Sequence, residues 1–187
     1  NSRQDAVRRA VSFILEASRD LLMSPDYEGG YDVRGWGYTY GLAFLLRLKA
    51  AQAVPADLVE KVEDLIKFYI NAIQRTEINK VGGWNYARGH GKDAISPPSR
   101  FMTGATLQAL FEAKRAGYEV DAAVVARALD SLEQARTSTG SFRYSGVDGQ
   151  TRPEAVPGAV GRMMVSETTL YLAGRSNLSN IRAAIDA

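Results

Sequence analysis

Three arginines recur at matching places in the chain. Arg34, Arg100 and Arg162 each stand a few residues ahead of an apolar stretch, and those stretches can be aligned at Thr39, Thr103 and Ser166. If the stretches are helices lining one cavity, three guanidiniums and three helix N-termini gather near its mouth. That environment suits a diphosphate, a carboxylate or an acidic sugar. The alternative is that each arginine bonds carbonyls at the end of a neighbouring helix or pairs with a local acid, because the loops hold almost as many acids as bases.

Glu167 and Asp32 form the candidate carboxylate pair. Glu167 sits among Met163, Met164, Val165, Thr168 and Leu170, where burial would favour its protonated form and fit it for general-acid work. The competing role is a bond to Arg162 or to a threonine across the helix layer. Asp32 lies in a glycine-rich loop and reads equally as a turn residue. Two carboxylates at suitable separation would give glycosidase or lyase chemistry. His90, flanked by Gly89 and Gly91, can approach a ligand or stand exposed on its loop, and a lone histidine has too few partners for a metal site. No metal and no cofactor are expected. Trp36 and Tyr40, with Tyr31, Tyr38, Trp84, Tyr86 and Phe101, could line an apolar pocket or plug corners between helices.

Composition narrows the classes. The chain has 187 residues, enough for one domain with a substantial core, and its 23 basic and 21 acidic side chains are well mixed. A nucleic-acid partner is therefore not expected. The absence of cysteine removes disulfides, thiolate nucleophiles and cysteine-ligated zinc, and leaves the compartment open between cytoplasm and periplasm. No apolar run reaches membrane-spanning length, so a soluble domain is expected. The chain does not begin with methionine, which leaves room for an upstream leader or region.

Two kinds of apolar periodicity must position these residues. Wet-sided helices are expected over Ser2 to Leu22, from Pro55 onward with a stripe of Leu58, Val59, Val62, Leu65, Ile66, Tyr69, Ile70 and Ile73, and from an Asp121 cap through Leu132. Between them lie segments apolar nearly all round: Tyr38 to Ala53, Arg100 to Ala116 ended by Gly117, and about Ala159 to Ala173 ended by Gly174. The dry segments recur at a step of about 64 residues, and a regular step of this kind signals a repeat architecture. Alternating wet and dry helices pack as hairpins with the dry members inside. The expected organisation is one all-α repeat domain, with hairpin repeats at about 3–53, 55–117 and 121–175 and a further helix beginning near 178–187.

The joints between repeats share a recipe. The central one runs from Gln74 to Gly82-Gly83-Trp84, a second from Gln134 to Gly140-Ser141-Phe142, and a first, without the glutamine, through Gly29-Gly30-Tyr31 to Trp36. Glycine turns the chain and an aromatic ring fills the corner.

These joints resemble the glutamine-to-tryptophan (QW) repeats of the terpenoid cyclase and protein prenyltransferase superfamily. Phe68-Tyr69 with Gln74 and Gly83-Trp84, and Gln134 with Gly140-Ser141-Phe142, carry the likeness. More narrowly, the chain is similar to bacterial proteins described as containing prenyltransferase and squalene oxidase repeats, from Val7 onward. The resemblance implies an α/α-toroid in which glutamine and ring tie one outer helix to the next turn. A complete toroid has about twice the three hairpins read here, so it also implies a partial ring completed by the rest of a longer chain or by a second copy. The family's chemistry does not follow. This chain has no Asp-x-Asp-Asp cluster of the cyclases, and with one histidine and no cysteine it cannot assemble the zinc ligands of the prenyltransferases.

The resulting expectation is a terpenoid cyclase-like helical repeat module that binds an isoprenoid-like or other amphiphilic ligand in a concave apolar cavity. Catalysis stays open. The alternatives are a terpenoid cyclase-like isomerase, a polysaccharide-cleaving enzyme taking a carbohydrate ligand through Glu167 and Asp32, and a protein-interaction scaffold.

Overall fold

The computed structural model describes residues 2–27, 34–85, 97–144 and 156–187, with side chains from 159 in the last stretch. The fold is all-α. Seven α-helices are described: α1 Ser2–Ala17, α2 Arg34–Ala50, α3 Val59–Arg75, α4 Arg100–Arg115, α5 Ala122–Gln134, α6 Val156–Leu172 and α7 Leu178–Ile185. No strand occurs among the described residues, and the one bridge noted there is an isolated pairing of Arg136 with Phe142.

The difference between dry and wet helices becomes a difference in position. Helix α4 lies between α2 and α6, while α3, α5 and α7 pack on α2, α4 and α6 respectively. Helix α2 buries Tyr38, Thr39, Leu42, Leu45, Leu46 and Leu48. Helix α3 buries a single stripe that includes Val62, Leu65, Ile66, Tyr69 and Ile73. The residues used to align the dry helices, Thr39, Thr103 and Ser166, are all buried. Hydroxyls stitch this layer: Thr39 and Thr106 share a hydrogen bond of 2.8 Å between α2 and α4. Gln108 of α4 donates to the Thr169 hydroxyl of α6 at 2.9 Å. Close approach there depends on Gly104, where a Cβ would come within 3.2 Å of Val165.

Several boundaries differ from the sequence reading, each for a packing reason. Helix α2 starts at Arg34 rather than Tyr38, because Gly35 and Gly37 are helical positions pressed against neighbours. A Cβ at Gly35 would lie 1.9 Å from Met102 Cε, and one at Gly37 3.3 Å from Met23 Cε. Helix α1 ends at Ala17, and Asp20 then caps a short 3-10 turn, Leu21–Met23, by accepting from the Leu22 amide. Helix α6 starts at Val156, which puts Pro157 in the first turn, where its missing N–H is no loss. The Asp121 cap is present: its side chain accepts from the amides of Ala123 and Val124.

The central joint is built as its glycines require. Gly82 and Gly83 both have φ of +81°, and a Cβ would lie 2.4 Å from the Arg127 carbonyl oxygen at Gly82 and 2.6 Å from Thr103 Oγ1 at Gly83. Trp84 is buried, its ring N–H donating to the Ile73 carbonyl at 2.8 Å and its amide to Thr103 Oγ1 at 3.1 Å. Gln74 Oε1 accepts from the Asp121 amide at 2.6 Å, joining the end of α3 to the start of α5. In the following joint Gly140 has φ of +82° and Phe142 is buried, but Gln134 is exposed and its side chain makes no hydrogen bond.

Candidate functional site

Each of the three arginines donates to at least one backbone carbonyl of the protein itself. Arg34, at the first turn of α2, donates to the carbonyls of Ser24 and Tyr27 and lies 5.0 Å over the Tyr27 ring. Arg100, at the first turn of α4, donates to the carbonyl and hydroxyl of Ser131 at 2.8 and 2.7 Å, near the end of α5. Arg162 donates to the Phe142 carbonyl at 3.3 Å and lies 5.2 Å over the Tyr144 ring, and burial pushes its pKa down. Carbonyl bonding at the ends of neighbouring elements thus describes all three, and Arg34 and Arg100 are buried.

Glu167 is likewise held, though by a residue other than Arg162. It is 2% exposed and takes both arms of Arg136, with Nε at 2.7 Å and Nη2 at 2.8 Å. The Ser176 hydroxyl donates to it as well, and Asn180 Nδ2 donates to that serine at 3.2 Å. Arg136 also covers the Phe142 ring at 5.6 Å. One bidentate pair therefore fastens the joint after α5 to α6, to the turn that follows it and to α7. Asp32 and His90 lie outside the described residues. Among the described residues no group of three or more His, Cys, Asp or Glu side chains is placed to hold a metal ion.

Trp36 and Tyr40 come together. One turn apart on α2, they stack at 5.5 Å with 13° between planes, and Trp36 meets Phe101 of α4 at 5.5 Å and 57°. Tyr40 opens onto a groove of about 480 Å³ between α1 and α2, whose walls include Phe13, Ile14, Met23 and Phe44 and whose floor is Tyr69 of α3. Gly37 and Gly41 give it its depth, since a Cβ at Gly41 would come within 3.0 Å of the Tyr69 ring. Among the described residues no charged side chain lines it. Phe13 is 70% exposed and Tyr40 58%, so two large rings stand at the groove facing water. Two larger depressions, about 910 Å³ beside the α4–α5 turn and about 640 Å³ beside the N-terminal turns of α1, mix apolar residues with charged ones, Lys67, Lys114, Glu119 and Asp121 in the first and Arg3, Asp5, Arg8 and Asp57 in the second. Water solvates such walls well, so neither offers what the apolar groove does.

Tyr69 is the residue the sequence reading missed. It counted there as a member of the α3 stripe and, with Phe68, of the QW likeness, and only its hydroxyl, where phenylalanine would complete the stripe, points to a ligand. It is 2% exposed and packs on Tyr38 and Phe68 at 6.1 and 5.3 Å between ring centroids. Burial, with a smaller effect from Tyr38, pushes its pKa up to about 12, so the phenol is neutral at physiological pH.

Comparison with known proteins returns no match to a family model, a curated protein or a solved structure.

Proposed function

We propose that this is a helical repeat module of the α/α-toroid, terpenoid cyclase-like kind that binds an isoprenoid-like or other amphiphilic ligand in the groove between α1 and α2. The observation that carries the ligand reading is the groove itself: about 480 Å³, without a charged wall, bordered by the exposed rings of Phe13 and Tyr40. That volume falls within the roughly 300–1,000 Å³ common for small-molecule sites. Support for the toroid-like reading comes from the bond of Gln74 to the start of α5 and the burial of Trp84, the roles that the resemblance gives to that glutamine and ring. Catalysis is not part of the proposal, because Glu167 is bonded to Arg136 and Ser176 and is not among the groove's walls.

Titration of the protein with farnesol, followed by quenching of tryptophan fluorescence beside Tyr40, tests the reading. Phe13→Ser removes a ring that contributes little to the core, and we expect it to weaken farnesol on the order of fivefold to tenfold through lost apolar burial. Unchanged affinity in this variant would reject the groove as the site.

The scaffold reading is favoured by a separate observation. Tyr171, Leu172, Leu178 and Ile185 are all exposed on α6 and α7, an apolar edge of the kind that a second copy or further helices of the same repeat would cover. Light scattering separates these outcomes: a monomer whose mass is unaffected by Leu172→Asp counts against a second copy on that edge.

A further inference from the structure

Tyr69 lines the groove, and its hydroxyl lies beside Gly41, another lining residue. Among the described residues it has no hydrogen-bond partner, although the residue is almost fully buried. Buried hydroxyls nearly always have a partner, and leaving one unmet is costly. Phenylalanine would give the same packing against Tyr38, Phe68 and Gly41 without a hydroxyl that needs water or a ligand as its partner. The neighbouring phenol is already engaged, since the Tyr38 hydroxyl donates to the Met23 carbonyl at 2.7 Å. The Tyr69 oxygen is not sealed from outside, and the groove that it lines is the opening it keeps. A Cβ at Gly41 would come within 3.3 Å of this oxygen, so the absence of a side chain at Gly41 keeps the space above it clear.

We infer that the groove selects an apolar molecule carrying an uncharged oxygen function, an alcohol, aldehyde, ketone or ester, whose oxygen accepts a hydrogen bond from Tyr69. This rests on the proposed groove reading and specifies its ligand. A charged head group does not fit the walls described: among the described residues no lysine or arginine lines them, and an unpaired anion against hydrocarbon loses its hydration without compensation. A plain hydrocarbon fits the walls but strips the water that would otherwise serve the hydroxyl and returns nothing for it. The neutral phenol acts as a donor here and not as a base, in keeping with the effect of burial on it.

The test compares three probes of equal chain length: farnesol, farnesene and farnesyl diphosphate. The wild-type protein should bind farnesol about 3–10-fold more tightly than farnesene, the range expected for one net hydrogen bond, and farnesyl diphosphate most weakly. Tyr69→Phe should remove the preference for the alcohol while leaving farnesene affinity unchanged or slightly improved. Phe13→Ser should weaken both neutral probes alike. A preference that survives in Tyr69→Phe overturns the role of the hydroxyl and leaves the groove intact. Tightest binding by the diphosphate also overturns it. If neither neutral probe binds the wild-type protein, the groove reading fails and the inference falls with it. The wild-type ranking stands independently of how well the variant folds.

Discussion

The bond between Arg136 and Glu167 makes a quantitative prediction that separates architecture from catalysis. Glu167→Gln keeps the size and shape of the side chain but removes the charge that both arms of Arg136 meet. Removing one member of a buried pair costs roughly 3–5 kcal/mol, most of it the penalty of the charge left behind. Here that figure is an upper bound. The Arg136 side chain is 24% exposed, so water reaches part of the orphaned guanidinium, and its position over the Phe142 ring retains some stabilisation. A loss of about 2–3 kcal/mol is the expected outcome, corresponding to a fall in melting temperature of roughly 4–12 °C for a domain of this size. The assay is urea unfolding followed by circular dichroism, repeated for Arg136→Met and for the double variant. Because the double variant leaves no buried charge unpaired, it should be more stable than the sum of the two single losses predicts, with a coupling of about 1–2 kcal/mol. Strict additivity, or a Glu167→Gln loss below about 0.5 kcal/mol, would refute the claim that this carboxylate is a fastening, and would return it to candidacy for chemistry.

Two further predictions use bonds in the outer layer. Gln74→Ala should cost about 0.5–1 kcal/mol in the same unfolding assay, since its partner amide can turn to water, whereas Gln134→Ala should be silent. Equal losses at the two glutamines would contradict the roles read from their bonds. Glu63 accepts from both Lys49 and the Tyr118 hydroxyl, and the Lys49 bond, followed by the Tyr118 bond, holds its carboxyl below the ordinary glutamate range. A depressed acid contributes stability fully above its unfolded pKa of about 4.3 and loses it as pH falls through the lower folded value. Melting temperatures measured between about pH 6 and pH 3 should therefore decline less steeply in Glu63→Gln than in the wild type, and parallel curves would refute this.

The all-α fold was legible because Tyr38 to Leu48 is apolar on nearly every side and Leu58 to Ile73 on one, and the helices they form pack on each other, with α2 also packed on α4. The glycine joint was legible for a similar reason, since Gly82-Gly83 before Trp84 leaves few conformations other than the one observed. What failed to show were relations across distance. Gly35 and Gly37 resemble loop residues until Met102 and Met23 are seen to press on them. For Glu167 the sequence offers a general acid or a bond to Arg162 or to a threonine, yet its partner Arg136 stands in the joint after α5, and nothing local marks the pairing. The same limit hid the groove. Phe13, Tyr40 and Tyr69 belong to three different helices, and only Tyr40 of these was singled out as a ligand contact from its type alone.

The hydroxyls between the inner helices act as a ratchet tooth. Oily surfaces alone let two rods glide past one another by a full turn and find nearly equivalent packing. With Thr39 facing Thr106 and Gln108 facing Thr169, any such glide strands polar atoms in a dry seam, so one axial alignment is privileged over its neighbours. The Thr39–Thr106 bond thereby fixes the axial place of α2, and with it the place of the Gly37 and Gly41 that give the slot its depth.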